Sequence, residues 1–276
     1  MPSQPDQPDQ PDQPDAIFAD PRLAACYDTF DGARDDLDHY QEILAELGAR
    51  SVIDVGCGTG SLATRLAADG LTVTGVDPAR ASLDIARAKP HGDAVTWLHG
   101  TAADLPGPAP TADAGTGEGT RAGEGTASGM GTGADAAVMT GNVAQVFLTD
   151  QAWTGTLRAI RGALREGGAL VFETRRPERR AWEEWQADME ESVHEVPGVG
   201  RVVVRPTRFE VALPLVTFAD EFTFEDGVTL TSTSALRWRS EEELRCTLAA
   251  SGFEVEGIRD APDRPGREFV VIARAV

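Results

Sequence analysis

Residues 51–61 read Ser51-Val52-Ile53-Asp54-Val55-Gly56-Cys57-Gly58-Thr59-Gly60-Ser61. Val52, Ile53 and Val55 form a short apolar run, the pattern of a strand buried on both faces. Three glycines at alternate positions follow at once, and then Leu62 and Leu66, spaced as on one helix face. A strand that turns into a helix over glycines lets a ligand approach the backbone closely, because no Cβ stands in the way. It also aims the free N–H groups of the helix start at an anionic group. The alternative is a tight turn with no ligand.

Reading outward, the same rhythm repeats. Leu37, Tyr40, Leu44 and Leu47 share a helix face that Gly48 ends. Leu71–Val76 predicts a second strand closed by Asp77-Pro78, residues 79–89 a helix, and Val95–Leu98 a third strand. Asp135–Met139, a helix over 150–165 and the strand Ala169–Glu173 continue it. Strands alternating with helices predict an α/β fold, a doubly wound, mostly parallel sheet covered on both faces. Residues 196–237 differ. Val202–Val204, Phe209–Val211, Val216–Phe224 and Val228–Leu236 read as strands, with a hairpin turn at Asp226-Gly227, so an antiparallel patch is inserted late. Ser240-Glu-Glu-Glu243 is a capping box that starts a helix. Phe253–Ile258 and Glu268–Ala273 are joined by a link too short for a parallel crossover, which predicts an antiparallel last strand.

Two stretches cannot build a core. Residues 1–15 carry four QPD repeats and read as a disordered tail; 109–133, nearly all Gly, Ala, Thr and Pro, read as a flexible insertion. The folded domain is expected over 20–276, with a ligand-binding core at about 50–174 and the antiparallel patch at about 196–237.

The 276 residues carry a formal charge of -20, against the basic patch that a nucleic-acid partner needs. Lys89 is the only lysine, so mechanisms needing two are excluded. Cys26, Cys57 and Cys246 are few and scattered, which fits neither a disulfide framework nor a metal site and favours a reducing, cytoplasmic location. No stretch is long and apolar enough for a membrane helix.

Asp77 falls 21 residues after Gly56 (77 − 56), at the end of the second strand, where a carboxylate can accept two hydrogen bonds from a ribose. It also suits an N-cap. The glycines do not choose the ligand, since Gly58-Thr-Gly60-Ser-Leu-Ala63 fits a dinucleotide fingerprint too. Asp54 discriminates better: a carboxylate two residues before the first glycine suits a ligand bearing an amine and a sulfonium, not a pyrophosphate.

Val52 to Gly60 resembles the first motif of the class I S-adenosylmethionine-dependent methyltransferases, and Val73-Thr-Gly-Val-Asp-Pro78 the second. Thr101-Ala-Ala-Asp104-Leu105 resembles the third and Asp135 to Val143 the fourth. The resemblance implies a Rossmann-like fold whose antiparallel patch is a substrate cap. It implies that the loop of Gly56, Cys57, Gly58 and Gly60 holds the methionine moiety of S-adenosyl-L-methionine, with Asp54 directing its amine. Asp77 would bind the ribose, Asp104 the adenine, and Gly141 and Asn142 would line the methyl site; Asp104 also fits a helix cap. The implied reaction moves a methyl group by in-line displacement to an N, O or C atom of a small molecule. Cys57 reads as a loop filler. Glu173 and His194 are the candidate general bases, with His99 a further one, though a structural or solvated role suits each of them better. Arg175 suits pairing with a substrate carboxylate or with one of the chain's many acids. Trp182, Trp185 and Trp238 read as core or pocket wall, and Tyr27 and Tyr40 as cofactor cover or packing. A non-catalytic S-adenosylmethionine-binding protein and an NAD-dependent oxidoreductase are the competing readings. The oligomeric state, homo-oligomer included, is not legible.

Overall fold

The computed structural model describes residues 13–107 and 133–276. Helices α1 (Ala16–Ala19), α2 (Pro21–Asp31) and α3 (Asp36–Glu46) precede β1 (Ser51–Val55). Then come α4 (Ser61–Ala68), β2 (Thr72–Asp77), α5 (Arg80–Ala88), β3 (Val95–His99) and β4 (Ala134–Met139). Helix α6 (Asp150–Ala163), β5 (Leu164–Arg175) and α7 (Ala181–Ala187) lead into β6 (Ser192–Val196), β7 (Gly200–Ala212), β8 (Leu215–Phe224) and β9 (Thr229–Arg237). Helix α8 (Glu241–Ala249), β10 (Phe253–Arg259) and β11 (Glu268–Ala275) follow.

Seven of these strands form one sheet in the order β10-β11-β5-β4-β1-β2-β3. Its β1, β2, β3, β4 and β5 run parallel, and β11 lies antiparallel between β5 and β10. This is the expected doubly wound sheet with an antiparallel last strand. Side chains alternate between its faces. Ile53, Met139, Phe172 and Val271 pack under α6 and α8; Val52, Val138, Val171 and Val270 pack under α3 and α4.

The second sheet, β6-β7-β8-β9, is antiparallel throughout. It starts at Ser192, earlier than the expected 196, because β6 is short and polar, with only Val196 buried. Two expected strands at 202–204 and 209–211 are one strand, β7, bulged near Pro206 where the proline cannot donate to the ladder. Residues 165–168, between the expected helix and the expected strand, are likewise a bulge inside β5: Ala134 pairs with Leu164 and Ala136 with Ala169.

Helices α1 and α2 form an arm that joins the two sheets. Asp20 caps α2, accepting from the N–H groups of Arg22 and Leu23, with Pro21 in the first turn. Leu23 and Cys26 pack with Val202, Phe222 and Phe224 of the small sheet. On the other side, the Ser82 hydroxyl of α5 donates to Phe18 O at 2.9 Å. Of the stretch read as a disordered tail, residues 1–12 lie outside the described residues, while Asp15 is tied to the Ser234 hydroxyl at 2.5 Å. The low-complexity run at 109–133 lies, except for Gly133, outside the described residues.

Candidate cofactor and methyl-acceptor site

Four carboxylates gather at one edge of the large sheet. Val52, Val73, Val171 and Val270 belong to the cluster under α3 and α4. Alternation therefore puts Asp54, Asp77, Glu173 and Glu268 on that same face. All four are buried, between 1% and 7% exposed, at the carboxyl ends of β1, β2 and β5 and the start of antiparallel β11. Ligands bind at this edge in open α/β sheets.

The glycine loop closes over it. Gly60 has φ +76°, and a Cβ there would stand 2.5 Å from the Trp97 ring. Gly58 has φ +52° and nothing within 4 Å of the place a Cβ would take, so the loop leaves open space at this position. Asp77 holds the loop in this shape: one oxygen accepts from Gly58 N–H at 2.8 Å, the other from Ala79 N–H at 2.7 Å. It therefore braces the loop and closes a turn ahead of α5, whose N-cap is Ala79 and carries no side-chain cap, so Asp77 is not the helix cap that the sequence also suggested; burial raises its pKa. Cys57 is buried and burial pushes its thiol well up, which leaves no thiolate for nucleophilic chemistry. Asp54 Oδ1 has no hydrogen-bond partner. Burial, and then the nearby Asp77, raise this carboxyl to about 7.

Glu173 organises the loop after β4. One oxygen accepts from the N–H groups of Gly141 (2.6 Å) and Asn142 (3.1 Å); the other accepts from the Tyr40 hydroxyl of α3. Asn142 sits at φ +61°, a conformation asparagine tolerates, and its amide donates to Glu268 Oε1 at 3.1 Å. Burial, and then Glu268, raise the Glu173 pKa to about 7. Arg264 donates to Glu268 at 2.9 Å, and Arg175 lies 3.8 Å from it. Even so, Asn142 Oδ1 and Glu268 Oε2 keep no partner. The buried edge thus offers acceptors in excess of donors. That pattern suits a ligand that brings positive charge and N–H groups.

Residues 52–121 match the model of a methyltransferase domain. The CcbJ methyltransferase of Streptomyces caelestis superposes with a TM-score of 0.65 over 92% of this chain and 96% of that one, at 21% identity. A S-adenosylmethionine-dependent methyltransferase of Clostridium acetobutylicum gives 0.65 over 90% and 98%, at 14% identity. The fold is that of the class I S-adenosylmethionine-dependent methyltransferases. In sequence, the ubiquinone biosynthesis O-methyltransferase of Alkalilimnicola ehrlichii is 45% identical over 51 residues, 18% of this chain. The aligned stretch spans about a fifth of the length of the curated relatives matched.

Within this methyltransferase fold, the sequence-read residues divide into two groups. Asp54, Gly56, Cys57, Gly58, Gly60, Asp77, Gly141, Asn142 and Glu173 come together at the acidic edge. Asp104 is exposed, and one of its oxygens accepts from the Thr101 N–H (2.9 Å) and hydroxyl in a capping box. His194 lies on β6 against Phe30, ring centroids 4.9 Å apart, with Ser192 as its polar partner. His99 is bound to Pro78 O at 3.1 Å. Trp182 and Trp238 are buried against each other, while Trp185 carries Arg175 over its ring at 4.7 Å. Tyr27 packs at a tilt against Phe18, ring centroids 5.0 Å apart, and is pushed up to about 12 by burial.

Sequence reasoning missed Glu268 and the arm. The signal for Glu268 was an acid opening an otherwise apolar strand, Glu268-Phe-Val-Val-Ile. The signal for α2 was Asp20-Pro21, a cap followed by a first-turn proline.

Proposed function

We propose that the protein is a small-molecule methyltransferase that uses S-adenosyl-L-methionine and transfers its methyl group by in-line displacement to an N, O or C atom. The observation that carries this reading is the buried, unpartnered oxygen of Asp54 beneath the glycine loop. A pyrophosphate would be repelled there, whereas a methionyl amine would supply the missing donor. When bound, S-adenosylmethionine supplies an electrophilic methyl on a sulfonium.

The residues then take these roles. Asp54 orients the amine, and the loop at Gly56, Cys57, Gly58 and Gly60 admits the methionyl backbone. Asp77 keeps lone pairs for ribose hydroxyls beyond its two loop bonds, and Asp104 is exposed and near enough in sequence to β3 to meet the adenine. Gly141 and Asn142 present the methyl site. Glu173 accepts three hydrogen bonds from the protein, which makes it a positioning group for that loop and not the base. His194 is engaged in the small sheet and takes no part. Orientation and exclusion of water are the main contributions to rate, because a sulfonium is already a good leaving group. The acidic charge argues against nucleic-acid substrates, and the few scattered cysteines, free among the described residues, favour a reducing, cytoplasmic setting. No described helix is long and apolar enough to cross a membrane.

Calorimetric titration with S-adenosylhomocysteine, with NADH as control, tests the reading. Selective micromolar binding that Asp54→Leu and Asp77→Ala abolish is the expected result. Binding of NADH alone overturns it.

A further inference from the structure

The inner face of the small sheet carries one acid with no counterpart. On β8, Val216, Phe218, Asp220, Phe222 and Phe224 share a face by strand alternation, with no register shift against β9. Phe222 and Phe224 are packed against the arm, in the cluster of Leu23 and Cys26. Val216 is packed against Trp182 and Trp238. The two apolar clusters stop on either side of Asp220. The rings at the gap are Phe30 beside Phe222, centroids 5.7 Å apart, and Trp185 beside Phe218, at 6.1 Å. Trp185 in turn carries Arg175, which reaches Gln145 at 2.9 Å and lies beside Glu268 at the acidic edge. Trp185 and Arg175 thus connect the rim of the gap to Gln145, just after the loop that the reading above assigns to the methyl site.

Asp220 is half-buried, and its carboxylate makes no hydrogen bond or ion pair with any described residue. Its cross-strand neighbour Ser232 accepts from Ile17 N–H at 2.9 Å and makes no bond to the carboxylate. Burial alone raises its pKa, with no opposing cation. A carboxylate held this way, between aromatic rings, is costly in the empty protein and complementary to a cation or an N–H donor. The rings serve the same ligand, since their faces attract cations.

We propose that Asp220 is the acceptor-recognition residue of this enzyme and that its small-molecule substrates carry a basic amine, which Asp220 binds. This rests on the methyltransferase reading above. It adds the substrate class and names a specificity residue on the cap, away from the residues that hold the cofactor.

The test pairs binding with turnover. A panel of small compounds, each supplied as matched amine, alcohol and carboxylate (glucosamine, glucose and glucuronate among them), is incubated with the full chain and methyl-labelled S-adenosylmethionine. Label enters amine members and not their alcohol or carboxylate counterparts. Asp220→Asn lowers kcat/KM for those amines by about 30-fold, the scale of losing one member of a desolvated charge pair. Asp220→Glu recovers part of it. Both variants bind S-adenosylhomocysteine as the wild type does, and Asp220→Asn melts no lower, because an unpartnered carboxylate has been removed. Methylation confined to alcohols or acids, amine turnover unaltered in Asp220→Asn, or no amine accepted by a protein that binds S-adenosylhomocysteine each overturn the proposal. Failure of the wild type to bind S-adenosylhomocysteine instead overturns the methyltransferase reading itself.

Discussion

Asp28 of α2 accepts a hydrogen bond from the Thr59 hydroxyl in the middle of the glycine loop, at 2.5 Å. Its second oxygen pairs with Lys89 Nζ at 2.7 Å, and Lys89 donates to Thr59 (3.1 Å) and Ser61 (3.0 Å). The only lysine in the chain is spent on this junction. One side of the arm is thus fastened to the loop, and the other to the cap through Asp15, Ile17 and Arg22. Beside the junction, a cavity of about 390 Å³ opens between α2 and α4.

Loosening this junction should weaken cofactor retention. Lys89 and Asp28 are 22% and 44% exposed, so their pairing is worth no more than about 1 kcal/mol. Lys89→Met should therefore raise the Kd for S-adenosylhomocysteine roughly fivefold, with a faster dissociation in stopped flow. An unchanged dissociation rate would mean that the arm does not cover the cofactor.

Stability of the ligand-free protein should fall as pH rises toward neutrality. Asp54 and Glu173 titrate near 7 in the folded chain, above the ordinary values of 3.8 and 4.5. The folded state therefore holds more protons than the unfolded state between about pH 4 and 7, and stability declines across that window. Melting temperatures at pH 5, 6, 7 and 8 check this. Asp54→Asn should flatten the decline, and a wild-type Tm that climbs from pH 5 to 7 would contradict it. An amine bound to Asp54 favours the ionised carboxylate, so cofactor binding near pH 7 should release protons, read by calorimetry in buffers of different ionisation enthalpy.

Glu173 separates positioning from base catalysis. Glu173→Gln keeps one oxygen for the Gly141 and Asn142 N–H groups and a polar group for Tyr40. Methyl transfer should fall less than tenfold, where loss of a general base typically costs 10²–10⁴-fold. Glu173→Ala strands three buried donors and should cost about 3 kcal/mol or more in denaturant unfolding.

Gly58 and Gly60 should fail in different ways when changed to alanine. At Gly60 the new Cβ meets Trp97 and Ala86 at 2.5 and 2.8 Å, so the protein should be strongly destabilised. At Gly58 the Cβ meets nothing, and the left-handed φ costs about 1–2 kcal/mol. That variant should fold, with a modest drop in Tm, and lose S-adenosylhomocysteine because its methyl enters the ligand's space.

The core of the fold was legible because β1 to β5 and their helices each carry an uninterrupted period of their own. Gly56 to Gly60 and Asp54 were legible for a related reason, being set by one local turn, and Asp77 because β1 and β2 are neighbours in sequence and in the sheet. The acidic edge was legible only in part. Glu268 joins it through pairing of β11 with β5, a contact between residues 93 positions apart (268 − 175), and no local pattern encodes that. The arm escaped because α1 and α2 bury only Leu23, Ala24 and Cys26, too few to set up a helical period. Strand β6 escaped for the same reason. His194 attracted notice as a titratable residue, yet its place is set by the β6–β7 pairing and by Phe30, neither of which its neighbours announce.

The position of β11 also constrains how the protein is made. This strand is wedged between β5 and β10, and its first residue, Glu268, completes the acidic edge. During vectorial synthesis the ribosome releases β1 to β5 long before their neighbour exists, leaving one flank of β5 with open backbone groups. The acidic edge therefore cannot be finished piecemeal as the chain emerges; it is completed only after residues 268–275 have cleared the exit tunnel.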